Sequence, residues 1–185
     1  MPRASRRAGA GAAEMRPRPG IRIRPAAKAD AAAACDLIRR SITELLAREH
    51  MNDEGTLAAW LENKSEENAL RWIPADDRCS IVALDDDRIC GFGMIKKSGE
   101  VGLLYVAPEA RFRGASNSML RGLERQATRW GVTTVTAVSS LTAREFYLKR
   151  GYIASGEPVK GFGLTLGYPV SKTLTPSLER KVSAG

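Results

Sequence analysis

The stretch that most constrains the fold lies between residues 79 and 138. Three apolar runs follow one another closely: CSIVAL at 79–84, ICGFGMIK at 89–96 and VGLLYVA at 101–107. The turns between them, DDDR and KSGE, are short and rich in Asp or Gly, so the runs pair as antiparallel hairpins. Residues 115–130 then switch to a helical period, with Met119, Leu120, Leu123, Ala127 and Trp130 on one side and Gly131 as the stop. VTTVTAV at 132–138 is β-branched almost throughout, the pattern of a buried strand of the parallel type. A meander that passes through a helix to a parallel partner gives a mixed sheet of the α/β or α+β class.

The flanks extend this pattern. IRIRP at 21–25 alternates apolar and basic residues, as an edge strand does. Asp30 stands where an N-cap belongs, ahead of a long amphipathic helix carrying Cys35, Ile38, Ile42, Leu45 and Leu46. GTLAAWLENK and SEENALRWI read as one or two short helices, the second capped by Ser65, and Pro74 ends the region. TAREFYLKR at 142–150 is a further helix stopped by Gly151, and YIAS and FGLTLGYPVSKTL supply the last strands. The expectation is one domain over 21–176, a mostly antiparallel sheet of about six or seven strands with about four helices. Residues 1–20 are expected to be a disordered basic tail and 177–185 a short C-terminal tail.

Charge and cysteine usage narrow the function classes. The chain of 185 residues carries a net charge of +8, but residues 1–24 hold seven arginines against Glu14 alone. The remaining chain has 22 basic and 20 acidic side chains, so the excess belongs to the tail and not to a domain face. That ranks nucleic acid last among partners, because aromatic residues do not interleave with the basic ones either. Arg121, Arg125 and Arg129 repeat every four residues and read as a solvated helix face. No apolar window approaches the length of a membrane span. The tail lacks the apolar stretch of a secretory signal, loosely resembles a transit peptide, and contains Met15 as a second candidate start. Cys35, Cys79 and Cys90 are odd in number with no CxxC pair, and His50 is the one histidine. A zinc site, a disulfide framework and the Ser-His and Cys-His hydrolases are therefore disfavoured. The thiols suit a reducing, cytoplasmic compartment. His50 is expected to be a solvent-facing or C-terminal helix residue.

RFRGAS at 111–116 lies between the strand ending at 107 and the helix from 115. A strand feeding a Gly-containing turn into a helix places unpartnered N–H groups and the positive end of the helix dipole where an anion can sit. Gly114 allows close backbone approach, and Arg111 and Arg113 add charge at the mouth. Neither the GxxxxGK[ST] loop nor the GxGxxG dinucleotide fingerprint is present.

LYVAPEARFRGASNSML resembles the central motif of the GCN5-related N-acetyltransferase superfamily, with Val106, Pro108, Arg111 and Gly114 in register and Ser116 where Gly or Ala is usual. SSLTAREFYLKRGYIASG resembles that superfamily's later element through Ala143, Phe146, Tyr147, Gly151 and Tyr152. The resemblance covers about residues 21–174. It implies splayed strands 4 and 5 and an enzyme that transfers acetyl from acetyl-CoA to a small-molecule or protein amine. It implies cofactor contacts at Leu104, Tyr105 and Val106 on the strand edge and at Arg111, Phe112, Arg113, Gly114, Ala115, Ser116 and Asn117 in the loop and first helical turn. Asn117 is equally a plain capping residue. Tyr147 aligns with the usual acid, its other role being a core aromatic. Glu100 is the candidate base, on the expectation that residues 100, 102, 104 and 106 share one strand face; a water-mediated route is the alternative. A non-catalytic acyl-CoA-binding module of the same fold is the alternative to an enzyme, and a homodimer is compatible with either. Trp60, Trp72 and the hairpin from Gly161 to Tyr168 are expected around the acceptor, with Asp53, Glu54, Asp76 and Asp77 as acidic candidates.

Overall fold

The computed structural model describes residues 20–73, 75–160 and 166–175. The expected N-terminal tail apart from Gly20, Pro74, residues 161–165 of the last hairpin and the C-terminal tail lie outside the described residues.

Eight strands run in the order β1-β2-β3-β4-β5-β8-β6, with β7 also on β8. They are β1 (Arg22–Pro25), β2 (Arg78–Asp85), β3 (Arg88–Lys96), β4 (Glu100–Val106), β5 (Thr134–Ser139), β6 (Ile153–Ala154), β7 (Val159–Lys160) and β8 (Leu166–Thr173). β1 to β4 are an antiparallel meander with β1 at the edge, as the alternation at 21–25 predicts. β4 and β5 form the one parallel pair named in the sheet, and β8 returns antiparallel to β5. β7 is one strand more than the sequence pattern suggests. It is two residues long, too short to carry a period.

The helices are α1 (Ala31–Arg40), α2 (Ala47–His50), α3 (Glu54–Leu61), α4 (Glu66–Trp72), α5 (Ala115–Arg129) and α6 (Leu141–Leu148). α5 covers one face of the meander, with Met119 and Leu123 lying over Gly91 and Gly93. The other face holds Phe92, which meets Trp72 of α4 with ring centroids 6.4 Å apart. Leu37, Ile38 and Ile42 bury there, as the apolar spacing of the first helix requires. α1 does not stop at Arg40 but continues as a π-type turn over Ser41–Leu45. Ser65 caps α4 by accepting the Asn68 N–H at 3.2 Å, as expected. Arg121, Arg125 and Arg129 face solvent on α5.

Three local expectations are corrected. Asp30 holds the N-cap position of α1, as expected, but its side chain does not cap that helix. Its carboxylate accepts the Ala27 N–H at 2.8 Å and is forked by Arg24 at 2.6 and 2.9 Å, closing a 3-10 turn (Lys28–Asp30) ahead of the helix. The Arg24 hydrogen bonds hold the Asp30 carboxyl below its ordinary range. β5 is not buried on both faces. Val135, Ala137 and Ser139 are buried, but Thr134, Thr136 and Val138 are exposed, because no described helix covers that side. His50 is the last residue of α2, one of the two expectations for it, but it is buried, not solvent-facing, and its Nδ1 accepts the Asn52 N–H at 3.1 Å where α2 packs on α6.

Candidate functional site

Strands β4 and β5 pair only at Glu100–Thr136 and Val101–Ala137 and then diverge. Gly99 sets the junction. Its φ is +91°, and a Cβ there would stand 2.6 Å from the Thr134 carbonyl oxygen. Beyond Val101 the β4 edge toward β5 has no strand partner, and a cleft of about 500 Å³ opens there. The cleft runs from the N-terminus of α5, along the β4 edge and α6, to a wall made by the π-type turn and α3.

A bulge re-aims β4. Met94 sits opposite Leu103 while Ile95 sits opposite Val101, so Gly102 is the extra residue. Gly102 faces the side chains of Met94 and Lys96, whereas Leu104 faces Gly93 on the α5 side. The expectation that 100, 102, 104 and 106 share one face is therefore wrong: the extra residue inverts the alternation between Gly102 and Leu104. Glu100 does not line the cleft; Lys96 Nζ donates to both of its carboxylate oxygens at 2.9 Å.

Leu104, Tyr105 and Val106 line the cleft along the β4 edge, as do Arg111, Phe112, Gly114, Ala115, Ser116 and Asn117 at its mouth. Gly114 is the N-cap of α5 with φ +87°, and a Cβ there would meet no protein atom within 4 Å. The first α5 backbone bond runs from the Ser118 N–H to the Gly114 carbonyl at 3.0 Å. The N–H groups of Ala115, Ser116 and Asn117 precede it and have no side-chain cap. Arg111 packs over the Phe112 ring at 4.8 Å, and Phe112 itself is 93% exposed at φ +61°, a costly backbone region for a bulky residue. Arg113 is not among the cleft residues. It forks onto Asp85 at the end of β2.

Sequence reasoning missed Arg150. Its Nε donates to Asn117 Oδ1 at 3.0 Å, its Nη1 donates to the Phe146 carbonyl at 3.1 Å, and its guanidinium lies 3.9 Å from the Phe146 ring centre. It lines the cleft beside the α5 N-terminus, so the second arginine there comes from the turn just after α6 and not from the loop before α5. The i,i+4 spacing of Phe146 and Arg150 was the available signal.

Tyr147 is buried on α6 and lines the cleft, edge-on to Phe146 at 5.3 Å and to Tyr152 at 5.1 Å. Burial, and then the neighbouring Tyr105 phenol, push its ionisation well above the ordinary range. The Tyr105 phenol is pushed up to about 12 by burial, opposed by the neighbouring Trp60 indole. Ser140 caps α6 by accepting the Ala143 N–H at 3.1 Å, and Glu49 of α2 accepts the Thr142 N–H at 2.7 Å. These contacts fix the helix that carries Tyr147. Trp60 lines the cleft as expected, but Trp72 does not. Asp53 caps α3 at the Thr56 N–H, Asp77 pairs with Arg78, and neither these nor Glu54 and Asp76 line the cleft.

A family model for an acetyltransferase (GNAT) domain matches residues 47–167. No curated protein matches the chain. Among solved structures, a GCN5-related N-acetyltransferase from Rhodopseudomonas palustris is similar, with TM-score 0.75 and 24% identity over 85% of this chain and 98% of that one. The PaiA N-acetyltransferase of Thermoplasma acidophilum, in complex with coenzyme A, has TM-score 0.69 and 19% identity over 84% and 99%. The yncA structure from Salmonella typhimurium, with its cofactor acetyl-CoA, has TM-score 0.64 and 19% identity over 85% and 95%. At these identities the structural likeness concerns the fold.

Proposed function

The chain belongs to the acetyltransferase (GNAT) domain family, and from that premise we propose that it transfers an acetyl group from acetyl-CoA to a primary amine by direct attack. The observation that carries this is the unpaired β4 edge, which runs from the open α5 N-terminus to the buried Tyr147 within one cleft.

The residues present fit acetyl-CoA as co-substrate. The free edge from Gly102 to Val106 offers backbone donors and acceptors to the pantetheine amides, in the manner of strand addition. The N–H groups of Ala115, Ser116 and Asn117 take the pyrophosphate at the positive end of a helix of 15 residues. Arg111 and Arg150 supply formal charge, while Arg113 braces the loop through Asp85. Ser116 stays in this set because it lies on the cleft wall in the first turn.

For chemistry, a backbone N–H on the free edge polarises the thioester carbonyl, as an oxyanion donor does. The amine nitrogen forms the new C–N bond, the C–S bond breaks, and Tyr147 gives its hydroxyl proton to the departing thiolate. Its raised ionisation keeps that proton in place at neutral pH. Glu100 receives no role, because its carboxylate is held by Lys96 away from the cleft. An acceptor ammonium first loses a proton to water, and the proton shed by the attacking nitrogen restores the Tyr147 phenol.

Two measurements test this. Acetyl-CoA at 100 times its Kd should stabilise the protein by about 2.7 kcal/mol, which is a rise in Tm of roughly 5–10 °C for a chain of this size. Tyr147→Phe should keep that shift while lowering kcat roughly a hundredfold. No shift at millimolar acetyl-CoA removes the co-substrate, and unchanged kcat removes Tyr147 as the acid.

A further inference from the structure

The inner end of the cleft carries a charge pattern that bears on the acceptor. Among the described residues that line the cleft, the only charged side chains are Arg111 and Arg150. Both belong to the mouth: Arg111 sits in the loop before α5, and Arg150 is fastened to Asn117 in the first turn of α5. The inner end, on the side of the sheet away from α5, is walled by Ser41, Leu45, Leu46, Trp60 and Tyr105. Ser41, Leu46 and Trp60 are buried, and Leu45 and Tyr105 are half-buried.

Two sequence-coded distortions build this wall. The bulge at Gly102 inverts the β4 alternation, which turns Tyr105 toward Trp60 instead of toward α5. The π-type turn over Ser41–Leu45 widens α1 at the cleft and delivers Ser41 and Leu45 to it. Of the carboxylates nearby in the fold, Asp53 is committed to the Thr56 N–H and Glu100 to Lys96, while Glu49, which is not among the residues lining the cleft, gives Oε1 to the Thr142 N–H and keeps Oε2 buried without a hydrogen-bond partner.

We propose that the acceptor is a monoamine with an uncharged apolar body about the size of one aromatic ring, and that polycationic amines are excluded. The inference rests on the acetyl-transfer reading above. A polyamine, an aminosugar or a lysine-rich segment would bring several ammonium groups into a cleft whose described lining residues include no carboxylate and whose charged ones, Arg111 and Arg150, are cationic. Each unpaired ammonium would lose its hydration without a partner. An apolar body, by contrast, gains by leaving water. The wall also explains why no carboxylate base is needed. An apolar surround disfavours the ammonium over the neutral amine, so the proton leaves to water as the acceptor enters and the nitrogen arrives with its lone pair free. In the transfer that nitrogen bonds to the acetyl carbon, the C–S bond breaks, the thiolate takes the Tyr147 proton, and the proton left on the new amide nitrogen restores the phenol.

The test is a set of initial rates at saturating acetyl-CoA, read as free thiol, with 2-phenylethylamine, spermidine and kanamycin as acceptors. The kcat/KM for 2-phenylethylamine should exceed both others at least tenfold. Leu45→Glu, which places a carboxylate in the wall at a half-buried position, should narrow or reverse that ratio at least tenfold by raising spermidine and lowering 2-phenylethylamine. The thermal shift with acetyl-CoA, retained in the variant, reports that the fold and the mouth are intact. Equal or better turnover of spermidine or kanamycin overturns the proposal. So does a protein that acetyl-CoA stabilises but that fails to acetylate 2-phenylethylamine. Failure of acetyl-CoA to stabilise either protein brings down the acetyl-transfer reading itself, and this inference with it.

Discussion

Gly114 shows how much a single residue can carry at this site. Its φ of +87° lies in the left-handed region, where an L side chain costs about 1–2 kcal/mol. The space in front of it is empty of protein, so a methyl group there would clash with nothing that folds the chain. Gly114→Ala should therefore lower Tm by only a few degrees, yet weaken acetyl-CoA at least tenfold, because the methyl stands where the phosphates approach. Calorimetry on both quantities separates the two effects, and unchanged affinity would show that the loop is not the phosphate cradle. At this scale the sequence was legible where a residue type is itself the signal. Glycine before a helix and tyrosine in a recognisable spacing are examples. Arg150 and Arg113 were not, because which arginine reaches the cleft depends on Asn117 and Asp85, partners 33 and 28 residues away.

Among the elements, the junction of β4 and β5 governs the site. The two strands must meet at Glu100–Thr136 and Val101–Ala137 and then part, and Gly99 permits the meeting. In Gly99→Ala the new Cβ would stand 2.6 Å from a backbone oxygen and 2.7 Å from Val132 Cγ1, at a φ of +91°. Backbone cannot yield as a flexible side chain does. The substitution should cost roughly 3 kcal/mol, which thermal unfolding would register as a loss of about 6–12 °C. A loss below 2 °C would mean that the junction relaxes freely. Strand existence and order of appearance were readable, since each run and each turn announces itself through period and composition. The bulge at Gly102 was not. It is a mismatch in count between two strands, visible only when β3 and β4 are laid side by side, and it is why Glu100 leaves the face on which alternation places it. The half-bare β5 has the same origin: β-branched composition reports a strand but not whether a helix covers it.

Across the whole molecule, three buried phenols tie stability to pH. Tyr105, Tyr147 and Tyr152 all ionise above their ordinary range, chiefly through burial, with Tyr105 at about 12. In the unfolded chain each returns to about 10. The folded state thus holds protons that the unfolded state releases, so the stabilisation is complete below about pH 10 and is lost as pH rises through the folded values. The urea midpoint should begin to fall above about pH 8.5, where the Cys35, Cys79 and Cys90 thiols, raised by burial in the folded chain, ionise first in the unfolded one, and fall more steeply by pH 11.5 as the phenols join, and Tyr105→Phe should make the later fall shallower. A flat midpoint to pH 11.5 would show that the phenols are not sequestered. Hydrophobic period, turn residues and the two spaced motifs were enough, by themselves, to determine a mixed sheet, a Gly-containing turn leading into α5 and Tyr147 on a helix. These are local patterns, decided within ten or twenty residues by backbone sterics and apolar spacing. Tertiary structure alone decided that the loop arginine Arg113 turns to Asp85, that Arg150 takes its place, that Glu100 faces Lys96, and that the described residues of the cleft's inner wall carry no charge. Those outcomes depend on which distant side chains come within a few ångströms of one another, and both electrostatic pairing and burial are set at that range.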